Sequence, residues 1–235
     1  MTKFFSILIL TVIYSSNSLS QSTVEKYNNE TAKMELDKFQ QAIQSGTEYQ
    51  IRTELLEYIC NNLNTFPKVT PDMSIDQKLA ELLPVQKQLT MVFKQFLLNP
   101  ENKKDSISYD AALLMIALGN ISAQILPVAN EFMSTFDKND ESYEIRIKGM
   151  QQAFYGVKNT LVGYLITTFA ENRNQYVTPM LIEHLYLFGP QILRALPNDI
   201  RKDALKNIKE SVEPRVTDDL KKEYKKLYKK LQKIS

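Results

Sequence analysis

Helical spacing of apolar residues runs through almost the whole chain of 235 residues. Between positions 75 and 96, apolar side chains recur at steps of three, four or seven, which places them on one face of an α-helix. Similar lines cover residues 108–136 and 143–164. No stretch alternates apolar and polar residues as a half-buried strand would. The pattern therefore predicts an all-α fold.

The composition is that of a globular chain, with 43% hydrophobic and 24% charged residues. Helix pairs recur at intervals of 30 to 45 residues, but they share no consensus that would establish a helical repeat. We predict a single compact domain of about seven to nine helices, arranged as a bundle or as an irregular, helical-repeat-like array.

The N-terminus has the pattern of a secretory signal peptide. A basic residue at position 3 precedes an apolar run over residues 4–14, and small serines follow before a plausible cleavage site after position 20. The apolar run is shorter than the roughly 20 residues that span a bilayer, although an uncleaved anchor is the alternative. We predict a signal peptide at 1–20, an all-helical domain at 21–235, and a secreted or periplasmic protein.

Three of the six glycines lie one heptad apart within the helical pattern at 143–170: Gly149, Gly156 and Gly163. A glycine inside a helix costs about 1 kcal/mol relative to alanine. Positions seven residues apart drift by only about 20° around a helix, so the three form a narrow stripe. Small residues let two backbones approach closely. We therefore expect a neighbouring helix to cross close to this glycine stripe.

The alternative is that the stripe stays open and forms an apolar cavity for a lipid or another apolar ligand. Cavities between the helices of a bundle do hold ligands. The candidate ligand-groove residues combine the stripe with its small and large neighbours: Gly149, Met150, Ala153, Phe154, Gly156, Thr160, Leu161, Gly163 and Tyr164.

The C-terminal stretch 217–234 predicts a basic amphipathic helix. Its apolar residues step by four and three, and from Thr217 onward it holds seven lysines against three acids. We expect the apolar line to dock on the domain and the lysines to face solvent. Peripheral contact with an anionic membrane, or with a partner helix, is the alternative. The candidate surface residues are Lys221, Lys222, Lys225, Lys226, Lys229 and Lys230.

Nucleic acid is not an expected partner, because the net charge is only +2 and the basic stretch lacks arginines and aromatic residues in a cluster. His184 and Cys60 are the single histidine and the single cysteine, and together they cannot form a zinc site without several carboxylates. We expect Cys60 to be a buried thiol, with a disulfide-linked dimer as the alternative. We predict no metal and no cofactor.

Catalytic motifs are absent from the sequence, including a nucleophile elbow, a phosphate-binding glycine loop and a Cys-x-x-Cys pair. The sequence therefore favours an exported, non-enzymatic protein that acts by binding or structural contact. Its partner would be an unknown protein or an apolar ligand, and a lipid carrier is the first alternative. A carboxylate-dependent hydrolase is the second, and it requires a cleft that brings two acids together. Glu171 and Glu183 flank the apolar stretch, but nothing in the sequence pairs them, and we predict no catalytic residue.

Overall fold

A computed structural model of the chain describes residues 27–98, 108–169 and 174–234. Within these ranges the fold is all-α and forms one compact arrangement, as the sequence predicts. The signal peptide predicted at 1–20 lies outside the described residues. The helices are α1 (Asn29–Gln44), α2 (Thr53–Asn61), α3 (Ile75–Leu98), α4 (Tyr109–Ser134), α5 (Tyr143–Phe169), α6 (Thr178–Ala195), α7 (Asn198–Asn207) and α8 (Lys221–Gln232).

Polar residues in front of three helices fix where those helices begin. The Asn28 side chain accepts a hydrogen bond from the Thr31 amide, and the Thr31 hydroxyl accepts one from the Asn28 amide. Ser74 and Gln77 form the same reciprocal pair before α3. Ser108 accepts from the backbone at the start of α4. Each cap satisfies amide groups that the first turn of a helix leaves unpaired.

Helix α4 is the centre of the fold and contacts α2, α3, α5 and α6. By length and composition alone it could cross a membrane, but 83% of its most apolar stretch is buried by the other helices. Polar residues of α4 form hydrogen bonds with the chain outside this helix. Gln124 donates to the Leu63 carbonyl at 2.9 Å, and Asn130 donates to the Ala195 carbonyl at 2.6 Å.

The junction of α4, α5 and α6 is tightly packed around Phe188, which is 2% exposed. A β-carbon added at Gly119 of α4 would lie 2.6 Å from the Phe188 ring, so only glycine fits there. Tyr164 of α5 meets the same ring edge-on, with 6.3 Å between ring centroids. These contacts place Gly119 and Tyr164 at the same level of the fold.

The C-terminal helix docks through its apolar line, as expected from the spacing. Tyr224, Leu227 and Leu231 are buried, and the Tyr224 hydroxyl donates to the Ile208 carbonyl at 3.2 Å. The helix itself begins at Lys221 rather than at position 217, because residues 218–220 form a turn. The apolar side of α8 is thus used inside the fold, and only its basic side faces outward.

Candidate ligand groove

A groove of about 530 Å³ runs along α4, between α3 and α5. Helix α4 forms its floor, and the other two helices form its walls. The lining residues span positions 79–93 of α3, 118–132 of α4 and 150–164 of α5. At 1.5 Å per residue, each of these stretches is about 21 Å long. The groove is therefore long and narrow.

The glycine stripe does not lie under a crossing helix, so the leading expectation from the sequence is wrong on this point. A β-carbon added at Gly149, Gly156 or Gly163 would find no atom within 4 Å. Gly156 lines the groove together with Ala153 and Thr160, whereas Gly149 and Gly163 lie outside its lining. The open cavity, which was the alternative interpretation, matches the structure around Gly156.

The larger candidate residues of α5 divide between the groove and the core. Met150, Phe154 and Tyr164 line the groove. Leu161 does not line it: its side chain is 1% exposed and lies near Gly189 of α6. Sequence reasoning missed the residues contributed by α3, because no local pattern shows which helix lies beside α5. These residues are Leu79, Leu83, Gln86, Thr90 and Phe93.

None of the described residues that line the groove carries a charge. Five lining side chains are polar, and two of them are hydrogen-bonded within their own helices. The Thr90 hydroxyl donates to the Gln86 carbonyl at 2.7 Å, and the Thr160 hydroxyl donates to the Gly156 carbonyl at 3.0 Å. The remaining lining is apolar, so the groove is suited to uncharged ligands.

Tyr164 is the most unusual polar residue of the lining. It is 6% exposed, and its hydroxyl is buried without a hydrogen-bond partner among the described residues. A buried hydroxyl that is left unpaired costs about 1 to 3 kcal/mol. Burial also raises the pKa of Tyr164, so the phenol stays protonated and can both donate and accept.

Ser122 of α4 is the second lining hydroxyl without a bond to another described residue, and it is 7% exposed. Ser122 gives the groove a hydrogen-bonding group that the fold itself does not use, whereas the Tyr164 hydroxyl is closed off from the open space of the groove. A group of this kind fixes the orientation of a ligand in an otherwise apolar site.

A second cavity, of about 710 Å³, is lined by three acids: Glu183, Asp219 and Glu223. Glu223 already accepts a hydrogen bond from Lys226, and Asp219 accepts one from Thr217. Glu171, which flanks the apolar stretch on the other side from Glu183, lies outside the described residues. The described part of the chain holds no cluster of three or more histidine, cysteine, aspartate or glutamate residues suited to a metal ion.

The single cysteine and the single histidine are both partly buried. The Cys60 thiol donates to the Leu113 carbonyl at 3.2 Å, and burial raises its pKa to about 12. Because the thiolate is the reactive form, this environment disfavours formation of an intermolecular disulfide. His184 is half-buried, its Nδ1 atom has no partner among the described residues, and burial lowers its pKa.

The lysines of α8 differ in whether they form ion pairs or hydrogen bonds. Lys221 and Lys226 form ion pairs with Asp218 and Glu223, and Lys230 donates to the Tyr186 carbonyl at 3.0 Å. Lys222, Lys225 and Lys229 form no ion pair with another described residue. These three lysines, which we call the lysine face, lie opposite the buried apolar line of the helix.

Comparison with known proteins gave no matching family model, no similar curated protein and no similar solved structure.

Proposed function

We propose that the protein binds one uncharged apolar molecule in the groove and acts as a carrier, without catalysis. The groove itself is the observation that carries this proposal. Its volume of about 530 Å³ falls in the usual range of small-molecule sites, roughly 300 to 1,000 Å³. The predicted signal peptide supports a role outside the cytoplasm, which the mass of the exported chain would test.

The cost of Gly156 to the stability of α5 also supports the proposal. No atom lies within 4 Å of a β-carbon added there, so alanine would fit and would stabilise the helix. Any side chain at this position would instead narrow the groove that Gly156 lines. Glycine therefore keeps the wall open at the expense of helix stability. Nothing in the structure explains the glycines at 149 and 163.

The test uses diphenylhexatriene, a rod-shaped hydrocarbon that fluoresces strongly only in apolar surroundings. We expect saturable binding of one molecule per chain of the purified protein. Gly156→Leu places a side chain in the groove and should weaken binding at least tenfold. Gly149→Leu is the matched control, since it makes the same change on the same helix outside the groove.

Circular dichroism of both variants should show folding equal to that of the original chain, because neither site is crowded. Equal loss of binding in the two variants, or none in Gly156→Leu, would reject the groove as the binding site. Native mass spectrometry of the protein from its host, followed by denaturing mass analysis, would reveal a natural ligand as a mass that is lost on denaturation.

A second candidate function is contact with an anionic membrane surface through the lysine face. Because the apolar line of α8 is buried, the helix would attach by charge alone rather than by insertion. A lysine near an anionic surface contributes about 1 kcal/mol. Residues 194–235 support this role, since they hold 13 basic and seven acidic residues.

Flotation with phosphatidylcholine vesicles containing phosphatidylglycerol should show binding that vesicles of phosphatidylcholine alone lack. Replacing Lys222, Lys225 and Lys229 by glutamine should reduce it at least tenfold. The control replaces three exposed lysines elsewhere, at positions 68, 87 and 138, which changes the net charge equally. If both variants lose binding to the same extent, the attraction depends on net charge and not on this face.

A further inference from the structure

A third cavity, of about 710 Å³, lies where α3 ends and α4 begins. Its lining comes from the first four helices and from the segment that joins α1 to α2. No described residue lines both this cavity and the groove, so the two sites are distinct. The polar and the partly exposed aromatic residues of the lining are Glu48, Tyr49, Gln50, Gln95, Phe96 and Asp110.

Two carboxylates, those of Glu48 and Asp110, give this cavity its charge. No basic residue is among the described residues that line it. Neither carboxylate forms an ion pair or a hydrogen bond with another described residue. In the cavity near Glu183, by contrast, Asp219 and Glu223 already have partners. The carboxylates of the third cavity therefore remain available to a cation.

Aromatic rings line the same cavity. Two contacts hold Tyr49 in place: its hydroxyl donates to Glu35, and its ring meets the Phe39 ring edge-on, with 6.4 Å between centroids. Phe96 contributes a second ring from the end of α3. The face of such a ring attracts a cation that lies within about 6 Å of its centroid. The lining thus combines two kinds of group that bind cations.

The mixed lining favours an organic cation over a metal ion. Ca²⁺ takes about six to eight oxygen ligands, and Mg²⁺ requires a nearly ideal octahedron of them. The described lining offers only two carboxylates and the side-chain amides of Gln50 and Gln95. Apolar lining residues such as Ile51 and Leu56 would contribute nothing to a metal ion, but they can contact the carbon skeleton of an amine.

We infer that this cavity is a binding site for a protonated organic amine. The ammonium group pairs with the carboxylates of Glu48 and Asp110, and the carbon skeleton contacts Tyr49 and Phe96. This inference goes beyond the proposed function and does not depend on it, because the groove and the cavity share no lining residue among those described.

The test compares benzylamine, which is protonated at pH 7, with benzyl alcohol, which has the same ring and no charge. Isothermal titration calorimetry in dilute buffer measures both affinities. We expect benzylamine to bind saturably, with one molecule per chain. Benzyl alcohol should bind about tenfold more weakly, because two ion pairs at an open site contribute about threefold each. Added sodium chloride should weaken the binding of benzylamine by screening these charges.

Glu48→Gln and Asp110→Asn should each weaken the binding of benzylamine about threefold, and the double variant about tenfold. The affinity for benzyl alcohol should stay the same, because it forms no ion pair. Gly156→Leu, which fills the groove, should leave the affinity for benzylamine unchanged. Binding at this cavity is thereby separated from binding in the groove.

Glu141→Gln and Asp199→Asn are the matched controls, since both acids are exposed and neither lines the cavity. Asp199 is matched to Asp110 in position as well, because each lies in the first turn of a helix. The double control changes the net charge as much as the double variant does. Urea unfolding should show that each variant is about as stable as its control.

Three results would overturn the inference: no saturable binding of benzylamine, equal affinity for benzyl alcohol, or an equal loss of benzylamine binding in the double variant and the double control. The last result would mean that the amine responds to net charge rather than to this cavity. None of the three would affect the proposed function, which binding of diphenylhexatriene tests.

Discussion

Gly119 and Gly156 are both glycines in the interior of a helix, yet the structure surrounds them in opposite ways. A β-carbon at Gly119 would be 2.6 Å from the buried ring of Phe188, whereas one at Gly156 would have no atom within 4 Å. The first glycine permits close contact between α4 and α6. The second lines an open groove. The same residue type therefore occupies one crowded and one open position on these helices.

A glycine inside a helix therefore does not by itself indicate close packing or open space. Its neighbours in the folded structure decide between the two. Both glycines cost the helix about 1 kcal/mol relative to alanine. At Gly119 the contact with Phe188 offsets that cost, and Phe188 is itself almost fully buried. At Gly156 no contact within the fold offsets it, which leaves a ligand as the proposed source of compensation.

The largest effect is expected for Gly119→Ala. The added methyl group would overlap the Phe188 ring, and overpacking of this kind costs about 1 to 3 kcal/mol, less the gain in helix propensity. We expect a net loss of up to about 2 kcal/mol, which lowers Tm by up to roughly 4 to 8 °C in a domain of this size. Thermal unfolding followed by circular dichroism measures it.

The double variant Gly119→Ala with Phe188→Leu tests whether overlap with the Phe188 ring causes the loss of stability. If the crowding is local, the second change should recover part of the stability that the first one removes, beyond simple addition of the two effects. A Gly119→Ala protein as stable as the original would contradict the description of this junction as closely packed.

A smaller effect of opposite sign is expected at the open positions. Gly149→Ala, Gly156→Ala and Gly163→Ala should each raise the free energy of unfolding by about 0.5 to 1 kcal/mol, because the methyl group meets no atom and the helix gains propensity. Urea unfolding should show similar gains at all three positions. A loss of stability at any of them would mean that a neighbour covers that position.

Much of the architecture was predictable, because helical periodicity is local. The spacing of Tyr224, Leu227 and Leu231 predicts the docked line of α8, and these residues are buried. Six of the seven residues that α5 contributes to the groove were also named from the sequence, whereas Val157 was not. Three further candidates, Gly149, Leu161 and Gly163, do not line it. The lining contributed by α3 and α4 could not be predicted, because residues such as Leu79 and Phe132 reach the groove only through the packing of separate helices.

Lys158 shows that the type of a side chain does not by itself predict whether it is buried. A lysine in the middle of a helix is expected to face solvent, but Lys158 is 6% exposed. It forms an ion pair with Asp203 of α7 at 2.6 Å and lies 5.2 Å from the ring centroid of Tyr155. Because Lys158 and Asp203 are 45 positions apart, no local pattern reveals that they meet. The burial of a charged residue depends on such a distant partner.

If the chain is exported, as we propose, the polar residues of α4 also bear on its passage through a membrane. A translocating chain meets the bilayer one segment at a time, and a long apolar helix tends to be retained there. Gln124 and Asn130, which fasten α4 to the Leu63 and Ala195 carbonyls, each make that retention less favourable. The hydrogen bonds that hold the central helix in the folded domain thus come from the same side chains that oppose its insertion into the bilayer.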